Sequence, residues 1–265
     1  MSDKLPTIFI GHGSPMNAIQ DNDYTKALAT LGHSLPKPKA ILMVSAHWMT
    51  AGTWVTHMSA PKTIHDFHGF PPELFDVQYP AAGEPQLAES IHKMIDDPPI
   101  YLDESSWGLD HGTWAVLKHL YPAADIPVVQ LSLDMTQPPE FHFAMGKRLR
   151  ALREQDVLVL GSGNIVHNLR KLTWSNPEKV HEWAQAFDTQ VKKQLLTRDY
   201  QPLLGAILQS ENGRLSVPTP DHYYPLLYIL GASDDHESLN FVYEGMELGA
   251  ISMRTLIFGQ HQKHN

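Results

Sequence analysis

Short apolar runs alternate along this chain with stretches whose apolar residues return every three or four positions. The runs at 6–10, 40–46, 53–58, 127–133 and 156–161 are too short for helices and rich in Ile, Leu and Val, so they predict buried strands. The helical period appears over Gln86–Ile95, Thr113–Leu120, Glu140–Glu154, Pro177–Thr197 and Tyr223–Leu230. Strands separated by helices predict an α/β fold, a central sheet flanked by helices. Leu239–Tyr243 and Ile251–Phe258 predict two further strands, joined through Glu244–Gly249. That link is too short for a crossover, so the pair is antiparallel and the sheet mixed. No repeat, low-complexity tract or linker interrupts the chain, and residues 1–265 are expected to form a single domain.

Three of the runs lead into small residues and a histidine. They read Thr7-Ile-Phe-Ile-Gly-His12-Gly-Ser-Pro15, Ala40-Ile-Leu-Met-Val-Ser-Ala-His47-Trp48 and Val157-Leu-Val-Leu-Gly-Ser-Gly-Asn-Ile-Val-His167-Asn168. In open α/β sheets ligands bind just beyond the carboxyl ends of the strands. Three imidazoles delivered to that edge can converge on a metal ion, since imidazole is a common ligand of zinc and non-haem iron. His12 lies between two glycines, which leave room around its ring, and Ser14-Pro15 predicts a capped helical turn after it. Plainer explanations stand beside these: a turn histidine with a structural hydrogen bond for His12, a satisfied core histidine for His47. The glycines around Ser162 lack the third glycine of a dinucleotide loop, Val166 standing there instead.

Two more histidines open helical segments. His111 sits in Trp107-Gly-Leu-Asp110-His111-Gly-Thr-Trp114, where the adjacent Asp110 carboxylate is expected to hold the imidazole in one tautomer. His222 follows Pro218-Thr-Pro-Asp221, ahead of a helix whose amino end favours anions. The plain alternatives are a helix-entry loop and a capping loop. Histidines on helical stretches (His92, His119, His142, His181) and in the polar tail (His261, His264) carry ordinary explanations. The stretch from Thr56 to Gly83 is long, aperiodic and rich in Pro, His, Phe and Gly. It reads as a segment covering the substrate, with Ile64-His-Asp-Phe67 its most distinctive part.

Composition narrows the function. With 265 residues the chain is long enough to bury a substantial core. A formal net charge of −9 argues against nucleic acid as a partner. The absence of cysteine removes disulfides, Cys-ligated zinc and iron–sulfur clusters. Neither a secretory signal nor an apolar run of membrane-span length is visible, so a cytoplasmic protein is expected. No heptad or apolar stripe asks for a partner, and a monomer is expected. His-Glu-x-x-His, Gly-x-Ser-x-Gly and phosphate-loop motifs are all missing, which weakens protease, serine hydrolase and nucleotide-triphosphatase readings.

Several of these pieces occur together and in order: Gly11-His-Gly-Ser-Pro15, Ser45-Ala-His-Trp48, Thr63-Ile-His-Asp-Phe67, Asp110-His-Gly-Thr-Trp114, Asn164-Ile-Val-His-Asn168 and Pro218-Thr-Pro-Asp-His-Tyr223. From residue 7 to about 258 the chain resembles the 4,5-DOPA dioxygenase extradiol proteins, a branch of the class III extradiol ring-cleavage dioxygenases, and the bacterial members above all. The resemblance implies one divalent metal per chain, Fe(II) for turnover, held by His12, His47 and His222. It makes His167 a further ligand or the acid/base, and places His111 on the substrate. The implied reaction opens a catechol ring beside its hydroxyl pair with O2. With DOPA, cleavage between ring carbons 4 and 5 gives a seco-DOPA that cyclises to betalamic acid.

The general base role, later reversed to general acid, goes to His167 first and His111 second. Trp48 and Trp114 are candidates to stack on the substrate ring. Many such enzymes use two histidines and one carboxylate, whereas here His222 stands at the position matching the carboxylate. Asp221 and Glu244 are the alternative sources of a carboxylate. An all-imidazole site leaves the ion's charge for a dianionic catecholate, and it accepts Zn2+ readily. The same histidines also admit a zinc-dependent hydrolase, or a non-catalytic binding protein on this fold.

Overall fold

The structure, a computed structural model, describes residues 4–259, so His261 and His264 lie outside the described residues. The strands are β1 (Thr7–Gly11), β2 (Ala40–Thr50), β3 (Thr53–Thr56), β4 (Ile100–Asp103), β5 (Val128–Asp134) and β6 (Val157–Gly163). After these come β7 (Leu239–Tyr243), β8 (Met246–Glu247), β9 (Ile251–Ser252) and β10 (Thr255–Phe258). The helices are α1 (Asp23–Ser34), α2 (Pro72–Phe75), α3 (Pro85–Met94), α4 (His111–Leu120), α5 (Pro139–Leu149), α6 (Glu182–Thr197), α7 (Glu211–Ser216) and α8 (Tyr224–Ala232).

Eight strands form one mixed sheet in the order β4-β3-β5-β2-β6-β1-β10-β7, while β8 and β9 make a separate two-stranded ribbon. The central strands β5, β2, β6 and β1 run parallel. Antiparallel pairing joins β1 to β10 and β10 to β7 at one side, and β3 to β5 at the other. Every residue of β1, β5 and β6 is buried, as continuous apolar strands covered on both faces require. The pleat sends alternate side chains to opposite faces. Phe9, Leu42 and Val44 join a core formed with α3, α5, α6 and α8. Ile8, Ile10, Ile41 and Met43 join a second core with α1 and α4. This is the α/β sheet flanked by helices that the runs predict.

Element ends differ from expectation where local chemistry decides them. The helix expected to reach Glu154 ends at Leu149 and passes into a 3-10 turn over Arg150–Gln155. The one expected from Pro177 begins at Glu182, after His181 at its cap. Helix α1 is unforeseen, although Asn22 and Thr25 form a reciprocal capping box at its start and Tyr24, Leu28 and Leu31 give it a buried face. Strand β4 is also unforeseen. The run Ile251–Phe258 divides into β9 and β10, of which β10 alone pairs with β7. No helix among the described residues is long and apolar enough to cross a membrane.

One buried histidine away from the strand ends ties stability to pH. His142 of α5 stacks on Tyr224 with ring centroids 3.9 Å apart, and its Nδ1 lies 3.2 Å from the Tyr228 hydroxyl. Burial lowers its pKa from 6.5 to about 4. An unfolded chain takes up this proton near pH 6.5 and the folded chain does not, so the associated stability is complete above pH 6.5 and lost as pH falls to about 4. The loss amounts to on the order of 3 kcal/mol. In His142→Phe, which keeps a ring in the stack, urea unfolding at a series of pH values should show a slope flatter than the parent's by that amount. Parallel curves would assign the dependence to other groups.

Candidate metal centre and its pocket

The carboxyl ends of β2, β6 and β1 open on a cavity of about 470 Å3 walled in part by His12, His47, His111, His167 and His222. His12 follows directly on β1, its backbone N–H donating to the Gly163 carbonyl at 3.1 Å. Gly13, at φ +62°, then turns the chain into a 3-10 turn over Pro15–Ala18 that Ser14 caps. His47 is not in a loop beyond the strand. Strand β2 runs on to Thr50, and the histidine sits where its register against β5 shifts between Val44 and Met49. Such irregularities re-aim side chains at sheet edges, which is how a strand residue reaches this cavity.

His222 arrives on the turn before α8. Its carbonyl accepts from Asn164 N–H at 2.8 Å, and a Cβ at position 163 would collide with that carbonyl. A glycine at the end of β6 is what lets the second segment approach. The ring centroids of His12, His47 and His222 are 5.0, 5.3 and 5.0 Å apart. One ring nitrogen from each lies within 4.8 Å of the others.

The hydrogen bonds behind the rings decide which nitrogens are free. Ser162 Oγ donates to the Gly112 carbonyl at 2.6 Å, so it accepts from His12 Nδ1 at 3.0 Å and leaves His12 Nε2 a bare lone pair. The Asp221 carboxylate accepts from His222 Nδ1 with the same consequence. Asp66 Oδ2 lies 3.4 Å from His47 Nδ1. His12 Nε2, left bare, faces His47 Nε2 at 3.2 Å. Two nitrogens bound at about 2.1 Å to one ion stand roughly 3.0–3.4 Å apart for angles from 90° to tetrahedral. The donor set therefore fits a divalent ion such as Fe(II) or Zn2+.

Electrostatics agree with this. Burial, reinforced by the neighbouring imidazoles, holds the pKa of both His12 and His47 well below 6.5. The hydrogen bond and charge of His222 outweigh burial at Asp221 and keep its carboxyl strongly acidic. The rings of His12 and His47 are thus neutral, and Asp221 is an ionised partner behind His222.

The two remaining histidines differ from these three. His167 stands outside the group, its ring stacked on His222 at 3.5 Å and 5°, and burial lowers its pKa to about 2. His111 begins α4, and Asp66 clamps it, accepting from its backbone N–H and from its Nδ1, each at 2.9 Å. This corrects the expectation for Asp110, which turns away from its neighbour. Asp110 instead caps α4 and accepts from Ser45, Trp107, Thr113 and Gln130.

Asp66, His47 and His111 also bring one potential donor atom each within 4.8 Å, but the carboxylate already accepts from His111 Nδ1. Glu244 is no ligand, for it pairs with Lys192 and Arg254. The tryptophan expectations also change. Trp48 stacks on Trp107 at 5.8 Å, and Trp114 is fully buried with its indole N–H on the Ile64 carbonyl. The cavity's tryptophan is Trp174, joined at the mouth by Phe67, Phe70, Leu169, Leu172 and Leu248. Phe67 and Phe70 come from the stretch between Thr56 and Gly83, which does line the cavity. The segment carrying Leu169 to Trp174 gave no signal of its kind in the sequence.

Comparison with known proteins agrees with this architecture. A family profile for the catalytic LigB subunit of aromatic ring-opening dioxygenase matches residues 6–254. The chain belongs to that family and is an oxidoreductase of the ring-opening dioxygenase class. It is 48% identical over 261 residues to the 4,5-DOPA dioxygenase extradiol of Escherichia coli (strain K12), covering 97% of this chain and 96% of that one. The protein of the same description from Beta vulgaris is 34% identical, with 93% of each chain covered. A crystal structure of an uncharacterized Escherichia coli K12 protein superposes with a TM-score of 0.85 at 44% identity, over 97% of this chain and all of that one.

Removing the charge behind one imidazole tests the centre directly. Asp221→Asn should weaken Zn2+ binding to metal-free protein by about 10–100-fold, as read by titration calorimetry. Unchanged affinity would show that His222 takes no part in holding the ion.

Proposed function

We propose that the chain is a metal-dependent extradiol dioxygenase that opens a catechol ring with O2, its metal held by His12, His47 and His222. The observation that carries this reading is the convergence of His12, His47 and His222, one ring nitrogen of each within 4.8 Å of the others, with the Nδ1 of His12 and of His222 already hydrogen-bonded. The activity for which the relatives are named supports DOPA as a substrate, cleaved between carbons 4 and 5 to a seco-DOPA that cyclises to betalamic acid. Fe(II) is the ion for turnover, because Zn2+ fits the same donors but has no redox chemistry. When bound, the ferrous ion supplies the positive charge that acidifies the catechol hydroxyls and a path for electrons to O2.

The protein's own groups manage the protons. His167 and His111 are the acid/base residues, each able to take a hydroxyl proton as a neutral imidazole and return it after ring opening. They are not equivalent. His111 donates its Nδ1 proton to Asp66, so Nε2 is its acceptor, and the carboxylate stabilises the imidazolium that results. Among the described residues no carboxylate is hydrogen-bonded to His167, which lies flat on His222, and burial disfavours its protonated form. Phe67, Phe70 and Leu172 line the cavity with apolar surface and limit the water around the reacting ring.

Oxygen uptake by protein loaded anaerobically with Fe(II) checks the reading. Adding DOPA should give uptake matched to the visible absorbance of a ring-opened product, abolished in His12→Ala. His111→Gln and His167→Gln should each lower kcat by about 10²–10⁴-fold while Fe(II) stays bound. Silence with several catechols, iron being present, would overturn the dioxygenase reading and favour hydrolysis at the same site.

A further inference from the structure

The histidine-lined cavity continues sideways into a second one of about 470 Å3, with Ser14, Phe70, Trp174 and Leu248 shared between their walls. A catechol ring is small beside the first cavity alone, so the second is free for whatever the ring carries. Its walls combine apolar and acidic groups: Met16, Val180 and Met246, with the carboxylates of Glu178 and Glu247. Neither cavity has a lysine or arginine in its wall. Arg170, Lys171 and Lys179 belong to the same segment as Trp174 but line neither space.

Glu247 is the informative residue. Its Oε2 accepts the Ser14 N–H at 3.0 Å, and among the described residues no cationic side chain pairs with it. It stands against Gly13, where any Cβ would collide with Oε2 and with the Met253 sulfur, so the position next to His12 carries no side chain of its own. Trp174, on the shared wall, is 72% exposed, an indole face available to a cation or an alkyl chain. A half-buried carboxylate without a cation, beside an open aromatic face, is a receptor for a substrate's positive charge.

We infer that the second cavity receives the ring substituent of the substrate and selects a cationic one: the preferred substrates are catechols whose side chain ends in an ammonium group, and a carboxylate on that chain is not recognised. This rests on the histidine cavity being the catechol site. The ammonium lies between Glu247, Glu178 and the Trp174 ring, while the alkyl linker covers Phe70 and Leu248. A zwitterion such as DOPA is held by its ammonium and leaves its carboxylate towards solvent. The same catechol without the ammonium meets two carboxylates and no cation, a like-charge arrangement that specificity devices commonly use against a wrong ligand.

Three catechols of one scaffold test this on the Fe(II)-loaded protein: DOPA, its decarboxylated amine dopamine, and the deaminated dihydroxyphenylpropionate. Affinity is read without oxygen, from the quenching of the emission that Trp174→Phe removes, and kcat/KM from oxygen uptake. Dopamine should match or exceed DOPA in both, and the propionate should fall at least fivefold below dopamine. Glu247→Gln, which keeps an oxygen for the Ser14 N–H, should shrink the dopamine-to-propionate ratio by at least threefold, with a further drop on adding Glu178→Gln. Because the readout is a ratio, a general loss of activity divides out. A propionate that binds as well as dopamine, or a ratio unmoved in the double variant, overturns the inference. If no catechol is cleaved yet dopamine still binds more tightly, the charge selection stands and the reading of the reaction fails.

Discussion

A neutral imidazole has one bare nitrogen, and the hydrogen bond made by the other decides which one it is and where it points; much of the site is arranged around that requirement. His12 gives its Nδ1 proton to Ser162, whose own proton goes to the carbonyl of Gly112. Gly112 is the second residue of α4, and the first, His111, is clamped by Asp66, which also lies 3.4 Å from His47. The path runs from β1 through β6 and α4 to the covering segment and back to β2. Moving any one of these elements changes the proton position on a ring that another element carries.

The sheet makes this arrangement possible. Parallel pairing of β2, β6 and β1 brings their carboxyl ends to one edge, and β6 lies between the other two. Gly163 at its end leaves space for the backbone of His222. Beneath α4, Asp110 gathers hydrogen bonds from Ser45 of β2, Gln130 of β5 and the Trp107 indole, tying the amino end of the helix to two strands. The acidic residue beside His111 thus fixes where the helix begins, and the distant Asp66 fixes which way its imidazole is protonated.

The fold was legible because buried parallel strands are unbroken apolar runs and the helices between them keep their period. The histidines His12, His47, His111, His167 and His222 were legible as candidates for a related reason, each following a run or opening a helix, and the structure brings all five to one cavity. What sequence position could not convey is direction. His47 is counted past the end of its run, yet it belongs to a strand whose register shifts beneath it. Asp110 is next to His111 in sequence and faces the other way, because the capping residue of a helix turns its carboxylate to the following N–H groups. Trp48 and Trp114 are near His47 and His111 in sequence and serve packing. Asp66 and Trp174 reach the cavity from long irregular segments whose placement depends on tertiary contacts alone, such as the Thr63–Leu109 bridge. Helix α1 escaped notice because its few apolar positions are scattered among polar ones.

The pairing of His12 with His222 has a consequence for how the protein comes to exist in a cell. One directly follows the first strand and the other lies on the turn before α8, so their rings meet only after most of the chain has left the ribosome and the sheet has closed. A partly synthesised or misfolded chain cannot present the three-imidazole cluster. Any ion that the cluster holds is therefore taken up by a chain that has already folded.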